Sequence, residues 1–234
     1  SRPATPPLSI AVLARRLAAT GALGQPCIRI ERYLAAGGAS RWVVYVPGTQ
    51  DWSLRGSRNP LDMGSNIKAM SAANLAGSER AVLLAMRLAG IKTGDKVLLV
   101  GHSQGGIVAA NIASQKQKFK VAGLLTFGSP IARINTSSAK AVIAVQHSND
   151  LVPTLSGTSQ PLVANRAVVQ STMKLSEGSQ PVAAHNMSNY IKTAAQADRS
   201  SVAGLAKMRS QITNFVRGSA FGQVTLARIR RKAN

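Results

Sequence analysis

Between residues 96 and 112 the chain passes from an apolar run, Lys96-Val97-Leu98-Leu99-Val100, through Gly101-His102-Ser103-Gln104-Gly105, into the helix-forming stretch Ile107-Val108-Ala109-Ala110-Asn111-Ile112. A strand that becomes a helix within five residues leaves few folds open, because the two elements must then pack backbone against backbone. Gly101 and Gly105 flank the turn and lack the Cβ atoms that would block this approach. Ser103 stands at the apex, where the backbone is forced into a strained conformation and the side chain is held up for chemistry. It is the candidate nucleophile, with Gly101 and Gly105 as the elbow glycines.

The rest of the chain supplies a sheet and its covering helices. Apolar residues at helical spacing predict a helix over 8–19 that ends near Gly21, and 28–35 reads as a strand. Residues 42–46 form a β-rich apolar run closed by Pro47-Gly48, which suits a buried central strand. Helix-like sequence with breaks fills 62–89. Strands are expected at 96–100, 121–127, 141–145 and 166–172, and helices at 107–115, 187–197 and 202–216. Near-continuous apolar strands alternating with helices predict an α/β fold: a mostly parallel central sheet covered by helices on both faces. The expected division is a Pro-rich linker remnant at 1–7, a single domain over 8–220 and a basic C-terminal tail at 221–234.

Composition narrows the partners. The 234 residues include 29 Lys and Arg against 8 Asp and Glu, a net charge of +21, so polyanions should adhere to the surface. A dedicated nucleic-acid reader would interleave aromatics with its basic residues, and aromatics make up only 4%, so no specific nucleic-acid role is expected. The densest basic segment is Arg228-Ile229-Arg230-Arg231-Lys232. It reads either as a solvated end or as an attachment to anionic lipid or polymer. Arg15, Arg16, Arg87 and Lys92 interrupt or bound the longest apolar stretches, so no transmembrane segment is expected. The single Cys27 reads as an ordinary strand residue. The crowded prolines at the start suggest a trimmed product, and a secreted or envelope-associated location fits better than a cytoplasmic one.

A serine hydroxyl is a weak nucleophile at neutral pH and needs a histidine to take its proton and an acid to hold that histidine's tautomer. Three histidines are present. His102 lies inside the turn and reads as structural, its side chain leaving on the other side of the strand end. His147 is the weaker candidate base. His185 is the stronger one, since it follows the last predicted strand and precedes a helix. For the acid, Asp150 in Asn149-Asp150-Leu151-Val152-Pro153 lies at the carboxyl end of a strand, on the rim that carries Ser103. Glu177 is the fallback, and a plain turn-capping role for Asp150 stays open. The chain order Ser103, Asp150, His185 suits a sheet of this kind. Attack at a carbonyl creates an oxyanion, for which the N–H groups of Gln104 and Thr49 are the candidate donors. A plain Pro-Gly turn at 47–48 is the alternative there. The chemistry requires no cofactor, and no histidine–carboxylate spacing suggests a metal.

Together, Pro47-Gly48-Thr49, Gly101-His102-Ser103-Gln104-Gly105-Gly106, Thr126-Phe127-Gly128-Ser129-Pro130, Asn149-Asp150-Leu151-Val152-Pro153 and His185 with Tyr190 give the chain a likeness beyond the elbow alone. It resembles the α/β-hydrolase superfamily, and most of all serine esterases related to class 3 lipases. The stretch Pro47-Gly48-Thr49-Gln50-Asp51-Trp52, with Asn66-Ile67 and Met70, is similar to a group of actinobacterial hydrolases. The resemblance implies a triad of Ser103, Asp150 and His185 acting on a small-molecule or lipid ester through an acyl-enzyme. Residues 128–140 and 50–66 are short for a cap, so an open site with little or no cap domain is expected. Acyl transfer by the same triad, and a non-catalytic or accessory module that binds an anionic polymer or membrane surface, are the alternatives.

Overall fold

A computed structural model describes residues 5–48, 72–176, 181–219 and 222–228. Its centre is a seven-stranded sheet. In chain order the elements are α1 (Ile10–Gly21), β1 (Cys27–Leu34), β2 (Ser40–Val46), α2 (Ala72–Leu88), β3 (Lys96–His102), α3 (Gln104–Ser114), β4 (Lys120–Phe127), β5 (Val142–His147), the short α4 (Leu151–Thr154), β6 (Arg166–Ser171), a 3-10 turn (Pro181–His185), α5 (Met187–Arg199), α6 (Ala203–Asn214) and β7 (Gly222–Arg228). The strand order is β6-β5-β4-β3-β2-β1-β7. Strands β2 to β6 are parallel. β1 runs antiparallel to both β2 and β7. This is the mostly parallel α/β architecture predicted, and it is consistent with an α/β-hydrolase-like fold.

Alternation along the strands builds two cores. Val43, Tyr45, Leu98, Val100, Leu125, Phe127, Ile143 and Val145 face α1, α5 and α6. Trp42, Val44, Val97, Leu99, Leu124 and Ala144 face α2 and α3. Both faces are buried, so these strands show no polar alternation. Cys27 is buried in β1. Among the described residues no helix is long and apolar enough to cross a membrane.

One expectation is corrected. The segment read as a tail from 221 onward contributes β7, which pairs with β1 from Cys27↔Arg228 to Tyr33↔Gly222. Only Gly222 of this strand is buried, because an edge strand meets a single neighbour and can stay polar and charged. Residues 229–234 lie outside the described residues.

Polar contacts tie α1 into this frame. Its first turn donates two N–H groups, from Ile10 and Ala11, to the Asp198 carboxylate at the end of α5, each at 2.9 Å. Ser9 caps it locally, accepting from Val12 N–H. Deeper in, the fully buried Glu31 accepts from Arg16, Tyr33 and Tyr45 on Oε2 and from Arg29 on Oε1. A buried carboxylate needs partners of this kind.

Candidate active site

Ser103 has φ 53° and ψ −126°. Among the described residues it is the one non-glycine with positive φ. A side chain rarely adopts this region, and the surroundings over-determine it. A Cβ on Gly101 would lie 2.5 Å from Gly106 Cα, and one on Gly105 would lie 2.0 Å from Val46 O. Both clashes are with backbone, so the two elbow glycines are sterically required. Helix α3 begins at once, at Gln104 rather than at 107, because the Ser103 carbonyl already accepts from Gly106 and Ile107 N–H. Ser103 N–H in turn donates to Phe127 O at 3.0 Å, pinning the turn to β4.

A third close approach has no counterpart in the sequence reading. A Cβ on Gly106 would lie 1.9 Å from Ser129 Oγ. Thus Gly128-Ser129, just beyond β4, forms the wall against which the elbow rests. Gly128, with φ 56°, leaves room for the Tyr190 ring, which a Cβ there would approach to 2.9 Å.

Asp150 follows β5, and its Oδ1 accepts Val152 N–H at 2.9 Å, capping α4. The capping role held open for it is real and does not occupy the whole group. Its Oδ2 accepts from His185 Nδ1 at 2.7 Å and from Tyr190 OH at 2.6 Å. Both Asp150 and His185 are buried. Burial alone would raise the Asp150 carboxyl, but the bonds and charge of His185, the Tyr190 hydroxyl and the Val152 N–H carry it below the ordinary carboxylate range. Burial together with that carboxylate pushes the Tyr190 phenol up.

The other two histidines hold the segment that carries His185. His102 Nε2 donates to the His185 carbonyl at 3.0 Å, and the two rings lie 4.7 Å apart. His102 therefore packs against the segment that carries His185. Burial, then the neighbouring His185, lower its pKa to about 3, so it is neutral. His147 donates from Nδ1 to Ala184 O at 2.7 Å and meets the Thr193 hydroxyl through Nε2 at 2.8 Å. With both nitrogens engaged, His147 ties Ala184 and Thr193 to the end of β5, and burial lowers its pKa. Its ring stacks on Tyr190 at 4.0 Å and 5°. Tyr190 is thus the hub, touching Asp150, His147, His102 and Phe127. Sequence marked it only by its spacing from His185.

A small cavity of about 60 Å³ opens beside the elbow, lined by Ile28, Val46, Pro47, Gly48, Val82, Gln104, Gly105 and Val108 among others. Thr49, Asp51 and Glu177 lie outside the described residues. The connection between β4 and β5 packs down on the sheet through Ile131 and Ala139. Among the described residues no cluster of three or more His, Cys, Asp and Glu side chains could hold a metal ion.

Topology brings Ser103 after β3, Asp150 after β5 and His185 after β6 to the carboxyl ends of parallel strands, where α/β sheets carry their sites. No curated protein and no solved structure matches the chain. Residues 74–214, more than half of the chain and including Ser103, Asp150 and His185, match the PGAP1-like alpha/beta domain. The chain therefore belongs to this family of the α/β-hydrolase type.

Proposed function

We propose that the protein is a serine hydrolase that cleaves carboxylic esters, of the kind found in esterases related to class 3 lipases, with Ser103, Asp150 and His185 as its triad. The observation that carries the reading is the buried 2.7 Å bond from His185 Nδ1 to Asp150 Oδ2, on the rim that also holds the strained Ser103. A histidine fixed in the Nδ1–H tautomer offers Nε2 as a base. In this mechanism Ser103 Oγ attacks the ester carbonyl and passes its proton to His185 Nε2. The imidazolium, steadied by Asp150, returns the proton to the departing alkoxide. Water then attacks the acyl-enzyme with His185 again as base, and the acid leaves as Ser103 regains its proton. The N–H groups of Gln104 and Thr49 hold the oxyanion, each donor contributing about 3 kcal/mol. The small apolar cavity beside Gln104 favours short acyl groups.

Fluorophosphonate labelling tests this. Wild type should label covalently, Ser103→Ala should not, and His185→Ala should label far more slowly. Hydrolysis of a short-chain nitrophenyl ester should follow the same order. Labelling that persists in Ser103→Ala would refute the assignment.

A further inference from the structure

The amino-terminal edge of the sheet, opposite the Ser103 rim, holds a second cavity of about 320 Å³. It is walled by Arg41 of β2, Lys96 at the start of β3 and Lys140 just before β5, with Ser210, Gln211 and Asn214 of α6 on the other side. Among the described residues neither Lys96 nor Lys140 has a carboxylate within ion-pairing distance. Asp95, the acid next to Lys96 in the chain, is turned to the other face, where it accepts from Trp42 Nε1. Cations gathered from three strands repel one another unless an anion sits among them. The carboxyl end of α6 would disfavour that anion, but Arg41 donates to the Phe215 and Arg217 carbonyls and offsets this.

We propose that this cavity binds a phosphate group. The Lys96 and Lys140 ammoniums contact the anionic oxygens. The volume has room for an organic group on the phosphate. The general positive charge of the surface gives only diffuse, salt-screened attraction. What sets this site apart is the convergence of Arg41, Lys96 and Lys140 on one cavity whose lining, among the described residues, holds no carboxylate.

The test is calorimetric titration of the full chain with inorganic phosphate at fixed ionic strength, beside sedimentation with vesicles of phosphatidylcholine and phosphatidic acid in equal proportion. Wild type should show one saturable phosphate site, weakened about tenfold by Lys96→Ala and further by adding Lys140→Ala. The pair Lys174→Ala and Lys192→Ala, which removes equal charge elsewhere, should leave it unchanged. Vesicle binding that depends on Lys96 and Lys140 and is displaced by phosphate supports the proposal with a lipid headgroup as the source. Phosphate binding without it supports the proposal with a soluble ligand. Absence of a saturable site, or an equal loss in the control pair, would overturn it. Ester hydrolysis should be unchanged in the lysine variants, so this outcome is independent of the Ser103 assignment.

Discussion

Tyr190 donates its hydroxyl at 2.6 Å to the same Asp150 oxygen that receives His185. Two donors on one buried oxygen keep the carboxylate ionised, and the Tyr190 bond is one cause of its lowered pKa. Tyr190→Phe keeps the ring stacked on His147 and removes only that donor. The expected result is about a tenfold loss in kcat/KM for ester hydrolysis. The acid limb of the pH profile should also move upward, since Asp150 then protonates at higher pH. An unshifted limb would show that Tyr190 serves packing alone.

His102 is held neutral with a pKa of about 3, against 6.5 when unfolded. The unfolded chain therefore binds the extra proton first as pH falls. The stabilisation from His102 is complete above about 6.5 and is lost progressively towards about 3. His147, also lowered, adds to the same trend. Urea midpoints across this window should fall with pH in the wild type, and less steeply in His102→Gln. Parallel curves would sink the assignment.

Much of this was legible in the sequence, for a physical reason. Strands β2 to β5 are buried on both faces, so their apolar runs announce them. The elbow is legible because Gly101 and Gly105 meet backbone atoms that no other residue tolerates. What escaped depends on contacts that leave no periodic trace. β7 has one neighbour and a half-exposed surface, so its Gln223, Thr225 and Arg228 read as a solvated tail. The roles of His147 and Tyr190 arise from rings stacked across forty-three residues of chain separation (190 − 147), which spacing cannot reveal.

Asp198 closes the fold by capping α1 with both carboxylate oxygens. An acid at a helix amino end gains from the cap bonds and from the dipole together. Asp198→Ala should lower the free energy of unfolding by about 1–2 kcal/mol, with ester hydrolysis retained at low temperature. Equilibrium urea unfolding measures it, and no change would mean that Ser9 alone suffices.

Glu31 is fully buried and accepts from two arginines and two tyrosines. Removing one partner of a buried ion pair leaves the other uncompensated, at about 3–5 kcal/mol. Glu31→Ala should therefore cost far more than Tyr45→Phe, which removes a single donor at about 1–2 kcal/mol. Equal losses on chemical denaturation would show that water reaches Arg16 and replaces the carboxylate.

Gly106 carries the last prediction. A Cβ there would lie 1.9 Å from Ser129 Oγ and 2.6 Å from its Cβ, with Thr126 Cγ2 next at 3.4 Å. Gly106→Ala must push α3 off the Ser129 wall, and overpacking of this kind costs about 1–3 kcal/mol. Because α3 carries Gln104, the tilt should also depress ester hydrolysis. Ser129→Gly removes both clashing atoms but loses the Ser129 Oγ–Phe127 O bond of 3.0 Å. The double variant should thus regain most of the stability and activity lost in Gly106→Ala while staying below wild type. A double variant no better than Gly106→Ala would show that the crowding at Ser129 does not position the helix.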